Sequence, residues 1–198
     1  MTEPRRPRRP APPRSGFERE VFTATLDLLS ASGVSATTPE SVAAAAGVPA
    51  DQVVATWSSA ADLMTAAVAS LDRGDRPVGS SAPFDELVSE LLVFRRVMAH
   101  PSALAVTSAA MDEAAQPELA RLYRDRMLRP QRNRLRRILD QARKQGMLDA
   151  QDANLDLAVS CCTGSWYALV LAGARPPRDW GSTVARLTWR SLGGHLPD

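Results

Sequence analysis

Residues 41–64 read SVAAAAGVPADQVVATWSSAADLM. Alanine has the strongest intrinsic preference for helix, and here the alanine-rich run is broken once, by Gly47 and Pro49. Ala43 is small where two helices would cross, Gly47 supplies the permissive backbone of a tight turn, and Val53 can seat a second helix on the first. This is the geometric logic of a helix-turn-helix, whose second helix enters the major groove of DNA. Yet the only charged residues in the stretch are Asp51 and Asp62. The rest of the chain has to supply whatever would hold a polyanion.

Outward from this stretch, Thr38 offers an N-cap hydroxyl and Pro39 a first helical position where a missing N–H costs nothing. The two short helices are therefore expected over Pro39 to about Ala46 and about Ala50 to Trp57. Ser58 or Ser59 can cap the next helix, whose Leu63, Ala67, Val68 and Leu71 form a stripe. Upstream, Phe17, Val21, Ala24 and Leu28 share one helical face, and Gly33 is a plausible C-cap. Residues 1–15, MTEPRRPRRPAPPRS, are rich in Pro and Arg, cannot pack a core, and read as a disordered basic arm. Five arginines against Glu3 give the arm a charge of +4.

Downstream, residues 72–83 (DRGDRPVGSSAP) form a linker-like break. Five helices are expected beyond it, at about 84–99, 101–112, 117–145, 153–174 and 178–193. Pro101 and Pro117 mark starts, Gly146 marks an end, and Pro130 should kink or split the third. No strand pattern survives. The expected fold is all-α: an N-terminal three-helix helix-turn-helix domain over 16–75, then a larger helical regulatory and dimerisation domain over 84–195.

Composition agrees, with 44% hydrophobic and 23% charged residues and only 5% aromatics. Cys161 and Cys162 are adjacent with no third cysteine, which excludes a disulfide framework and a Cys-based zinc site. Vicinal thiols can sense oxidants, but small apolar fillers in a helix are the preferred reading. Leu157–Ala174 carries no charge over nearly a membrane span, but Ser160, Thr163, Gly164 and Ser165 dilute it. A buried helix is expected, with no membrane association. The arginines of the N-terminus precede no apolar segment of a secretory signal, so a soluble, cytoplasmic protein is expected. His100 and His195 are the only histidines, and there is no Gly-rich phosphate loop, metal-ligand spacing or nucleophile elbow. The chain reads as a non-enzyme without cofactor or metal.

From Phe17 to about Leu71 the sequence resembles the TetR family of bacterial transcriptional regulators. Gly33, Thr37, Thr38, Val42, Ala43, Ala46, Gly47, Val48, Trp57, Ser59 and Leu63 match the family pattern. A looser likeness to its regulatory domain is carried by LDQARKQGMLDAQDANLDLAVSCCTGSWYALVLAG, residues 139–173. The departures are Val54, Thr56 and Ala60, where the family usually has Tyr, His and Lys against the DNA backbone. The resemblance implies a homodimeric, ligand-responsive regulator, a repressor by preference, bound to palindromic double-stranded DNA.

Charge sets the terms of that expectation. Residues 16–75 hold Arg19 and Arg73 against eight acids, a balance of −6. DNA affinity would therefore lean on Arg5, Arg6, Arg8, Arg9 and Arg14, from which a flexible arm could enter the minor groove. Thr38, Gln52 and Thr56 can bond to phosphates or bases, and helix starts at Thr38 and Ala50 favour phosphate. Val53 completes the candidate reading helix. The alternative is a TetR-like scaffold that binds a small molecule or a protein but has lost DNA binding, its arm a solubilising tail.

In the C-terminal half, residues 121–144 hold ten basic residues and two acids, a balance of +8. A solvated helix face is the preferred reading, and a surface for an anionic partner the alternative. Phe94, Met98, Met111, Tyr123, Met127, Trp166 and Tyr167 can line a cavity for a small apolar or amphipathic effector, or simply form core. Leu169 and Val170 on one helix, with Trp180, Val184 and Leu187 on the next, are the expected halves of a four-helix dimer interface. Small residues Ala158, Gly164, Ala168 and Ala172 permit close helix approach. The resemblance further implies that an effector moves the helix from about Ser59 to Arg73 and so respaces the two reading heads.

Overall fold

The computed structural model describes residues 16–73, 82–149 and 152–196, and no strand forms among them. Helix α1 spans Gly16–Ser32, α2 Pro39–Ala46, α3 Ala50–Thr56 and α4 Ala60–Ser70. The C-terminal part comprises α5 Pro83–Met98, α6 Pro101–Met111, α7 Pro117–Tyr123, α8 Arg129–Lys144, α9 Asp152–Leu171 and α10 Trp180–Ser191. The all-α class is as the sequence reads.

Local chemistry sets the boundaries around the turn. The Thr38 hydroxyl accepts from the Ser41 N–H at 3.2 Å while the Thr38 N–H donates to Ser41 Oγ at 2.9 Å, a reciprocal cap on α2. Gly47 ends α2 at φ +66, a left-handed conformation that a side chain would strain. Ser59 caps α4 through the Asp62 N–H at 3.1 Å.

Pro130 breaks the third C-terminal helix in an unexpected place. The chain leaves α7 through a π-helical turn, Arg124–Leu128, and Pro130 then lies in the first turn of α8, where its missing N–H is tolerated. The wide turn takes up the disturbance before the proline is reached.

Two cores share two helices. Val21, Phe22, Val42, Ala43, Val53, Trp57, Leu63 and Ala67 pack α1 to α4 together. Leu29 of α1 and Met64 and Val68 of α4 turn the other way, into a larger core built on Leu87, Leu91, Leu119, Leu135, Ile138, Leu139 and Trp189. α1 and α4 thus belong to both halves. Truncating Leu63, which is fully buried, would cost about 2–5 kcal/mol.

Candidate nucleic-acid interface and ligand cleft

α3 hangs on one residue. Val53 is fully buried against the first core, so it is an anchor and not the DNA contact expected from the sequence. Its burial turns Ala50, Asp51, Gln52, Val54, Ala55 and Thr56 outward, and Val54 is 50% exposed. Thr38 is exposed at the start of α2. The Thr56 hydroxyl donates to the Gln52 carbonyl at 2.7 Å, which leaves its oxygen lone pairs, not its proton, facing outward. Neither α2 nor α3 contains a Lys or Arg. The five arm arginines, Arg5 to Arg14, lie outside the described residues.

Two acids from this net-acidic region are already partnered. Asp62 in the first turn of α4 forms an ion pair with Arg126 of the π-helical turn. Arg126 also donates to the Asp62 carbonyl at 2.7 Å and to Thr65 Oγ1 at 3.0 Å. Burial raises the Asp62 pKa, but the Ser58 N–H and the Arg126 guanidinium outweigh it and hold the carboxyl below its ordinary value. Asp72 bonds to Arg134 at 2.9 Å, and Arg134 reaches the buried Glu90 at 2.9 Å. Ser59 adds a bond to Glu118 at 2.9 Å, and Ser102 one to the Leu26 carbonyl at 2.6 Å. No local pattern in the sequence signals these contacts, because the Arg126–Asp62 partners lie 64 residues apart.

The arginine-rich segment spends its charge in the same way. Arg124 grips Glu113 with two bonds of 2.8 and 2.7 Å. Arg121 and Arg129 flank Asp125, Arg136 pairs with Asp156, Arg137 with Glu86, and Arg143 and Lys144 with Asp140. Arg132 donates to Ser160 Oγ at 3.0 Å. The run of +8 is thus largely an ion-paired, solvated surface, with Arg121, Arg129, Arg137 and Lys144 59–71% exposed. Arg126 and Arg134 reach its most buried acids, Asp62 and Glu90.

The expected effector residues divide into three groups. Phe94, Met98, Tyr123 and Met127 line a hollow beside Arg126 and Arg134, but it holds only about 30 Å³, room for one or two waters. Met111, Tyr123 and Tyr167 line a larger cleft of about 300 Å³ between α6, α7 and α9, with Met111 64% exposed in it. Tyr123 and Leu128 wall both. Trp166 borders neither; it is buried with its ring 5.3 Å from Trp180 and 6.1 Å from Phe94. It is core. Sequence reasoning missed Thr107, which enters the larger cleft and bonds to Tyr123 Oη at 2.8 Å.

The expected dimer residues also need correction. Trp180 and Val184 are buried within the chain, Trp180 in an aromatic cluster and Val184 in the same core, so neither can reach a partner. Leu169 and Val170 are partly buried against that core. Leu187 is 64% exposed, and Leu157 and Leu171, not singled out from sequence, are 65% and 81% exposed along α9. Cys161 is exposed, whereas Cys162 is buried beside Thr188 and its thiol pKa is raised by burial to about 11, which suits a filler. No helix among the described residues is long and apolar enough to cross a membrane.

Comparison with known proteins places these features in a family. The model for the tetracyclin repressor-like C-terminal domain matches residues 83–187. A TetR transcriptional regulator from Agrobacterium tumefaciens is similar in structure, with a TM-score of 0.69 and 20% identity over 90% of this chain and 93% of that one. A flavonoid-responsive regulator, FrrA, gives 0.63 with 21% identity over 90% and 96%. A further TetR family transcription regulator gives 0.62 with 24% identity over 92% and 100%. No curated protein matches the sequence.

Proposed function

The chain belongs to the TetR family of transcriptional regulators, and from that premise we propose that it is a homodimeric, ligand-responsive repressor of palindromic DNA. In this reading the arm over 1–15 and the exposed face of α3 meet the DNA, residues 16–75 form the DNA-binding unit, and 84–195 bind effector and partner. It works in the cytoplasm and catalyses no reaction.

One observation carries the ligand response. The π-helical turn that supplies Met127 and Leu128 to the hollows also supplies Arg126, whose bonds end on Asp62 and Thr65 of α4. α4 directly follows the reading helix and shares its core through Leu63. A guest that repositions this turn therefore pulls on α4 through a charged clasp. Such a guest shifts the equilibrium only by the difference in its affinity for the two arrangements. FrrA, with the same fold, is a flavonoid-responsive regulator, and a small-molecule effector is proposed here too. The exposed leucines of α9 and α10, Leu157, Leu171 and Leu187, are the proposed dimer contact in place of Trp180 and Val184.

Footprinting of the protein on its own upstream DNA over a range of salt concentrations tests this reading. The expected result is a symmetric protected site whose affinity falls steeply with salt. The absence of a cation from α2 and α3 favours a second reading, a scaffold that binds a small molecule or protein without DNA. That reading requires no protected palindrome at any salt concentration.

A further inference from the structure

We infer that, if the chain has an effector as proposed, the cleft between α6, α7 and α9 takes a neutral, mainly apolar molecule with a hydrogen-bond-accepting oxygen, held by the Tyr167 phenol. The argument follows the protons along a chain of three hydroxyls. Thr107 donates its only hydroxyl proton to the Ala103 carbonyl at 2.7 Å. At 2.8 Å from Tyr123 Oη it must then accept, so the Tyr123 proton is committed to Thr107. The last proton is that of Tyr167. Its available acceptors are Tyr123 Oη at 3.4 Å and Met98 Sδ at 4.0 Å, both long for an O–H donor. Burial and the neighbouring Tyr123 raise the Tyr167 pKa, so the phenol keeps that proton. The cleft therefore presents a half-buried donor whose acceptors within the chain are both long.

The remaining walls select against charge. Ala110, Met111, Ala120 and Leu128 are apolar, and the one cation in the lining is Arg124. Arg124 is held by both oxygens of Glu113, which lines the same cleft. An anionic guest would have to compete with that carboxylate or enter with its charge poorly compensated. The volume of about 300 Å³ lies at the small end for ligand sites, which suits a guest of one or two rings.

Three probes of nearly one shape test the inference by calorimetry on the full-length protein: 2-acetonaphthone, 2-isopropenylnaphthalene, which replaces the ketone oxygen by CH₂, and 2-naphthoate. The ketone is expected to bind about tenfold tighter than the hydrocarbon, with naphthoate no better than the hydrocarbon. Tyr167→Phe should reduce the ketone to the hydrocarbon's affinity and leave the hydrocarbon unchanged. Tyr123→Phe, whose own proton is directed at Thr107, should keep the preference for the ketone. The carbonyl stretch of bound 2-acetonaphthone should fall in frequency in the wild-type protein, a readout independent of any variant. Tightest binding of naphthoate, no ketone preference, or a preference that survives Tyr167→Phe would overturn the inference while leaving an effector cleft intact. Failure of all three to bind would overturn both the inference and the cleft as effector site.

Discussion

The reading head and the α7–α8 segment make opposite use of charge. Residues 41–64, the part shaped for a polyanion, contain two aspartates and no cation. Residues 121–144 contain ten cations, and the fold gives them carboxylates or, for Arg132, a serine hydroxyl as partners. Several partners come from distant helices, among them Asp62, Asp72, Glu86 and Asp156. A count of charge along the chain therefore says little about charge available at the surface. Arg126, Arg134, Arg136 and Arg137 reach acids on other helices, whereas Arg121, Arg129, Arg143 and Lys144 pair within their own segment. The region that would meet DNA must find its cations elsewhere.

The strongest way to break this comparison is to remove the proposed source. Deleting residues 2–14 takes away Arg5, Arg6, Arg8, Arg9 and Arg14. If each arginine of both protomers' arms neutralises a phosphate, the slope of log affinity against log salt should flatten by up to about 9. Operator affinity should fall by on the order of a hundredfold at moderate salt. Titration of labelled operator at several salt concentrations measures both. An unchanged slope would mean that the head binds without the arm, against the argument from its charge.

The clasp between the two regions gives a smaller effect. Arg126→Met leaves Asp62 with its Ser58 bonds but without the guanidinium, which should cost about 1–2 kcal/mol because the pair is only partly exposed. Thermal unfolding measures that loss, and the effector should release DNA less completely from this variant. Acid provides an independent reading of the same bond. The Asp62 pKa is depressed in the folded state, so its contribution is present above the unfolded value and disappears as pH falls through the folded one. The stability gap between wild type and Asp62→Asn should therefore be widest near neutrality and close below about pH 4. A gap that widened in acid would show that the carboxylate is not stabilised by folding.

Sequence reveals the fold where the determinants are local. Thr38, Pro39, Gly47 and Ser59 act within one or two turns of the positions they punctuate, and each cap and the left-handed turn stand at those residues. Burial was harder to read. Val53, Trp166, Trp180 and Val184 are apolar residues on helices, α9 being apolar nearly all round, and periodicity gives at most the face of a helix, not what lies against it. The structure puts all four inside the chain, so residues expected at DNA, effector and dimer surfaces became core. The Arg126–Asp62 and Arg124–Glu113 pairs depend on how helices are arranged in space, which no spacing encodes. Tyr123 and Tyr167 were legible as aromatic lining, whereas the direction of their protons follows only from Thr107 and the Ala103 carbonyl.

The smallest effects sharpen the comparison most, because they exchange one charge in each region. Val54 is half exposed on α3, so Val54→Arg adds a cation to the reading face without touching the core. If it reaches a phosphate in both protomers, the salt slope should steepen by about 1.8 and affinity should rise several-fold at moderate salt. Arg129→Gln removes a cation from the basic segment. The Arg129 side chain is 71% exposed and bonds to Asp125, which also contacts Arg121. Loss of such a surface pair should change stability by less than about 1 kcal/mol. It should leave operator affinity within about twofold and the slope unchanged, since a cation that touches no phosphate releases no counterion. Filter binding of both variants across salt concentrations compares them directly. If Arg129→Gln flattened the slope as much as Val54→Arg steepened it, the basic segment would be touching DNA, and its ion pairs would have to open when the protein binds.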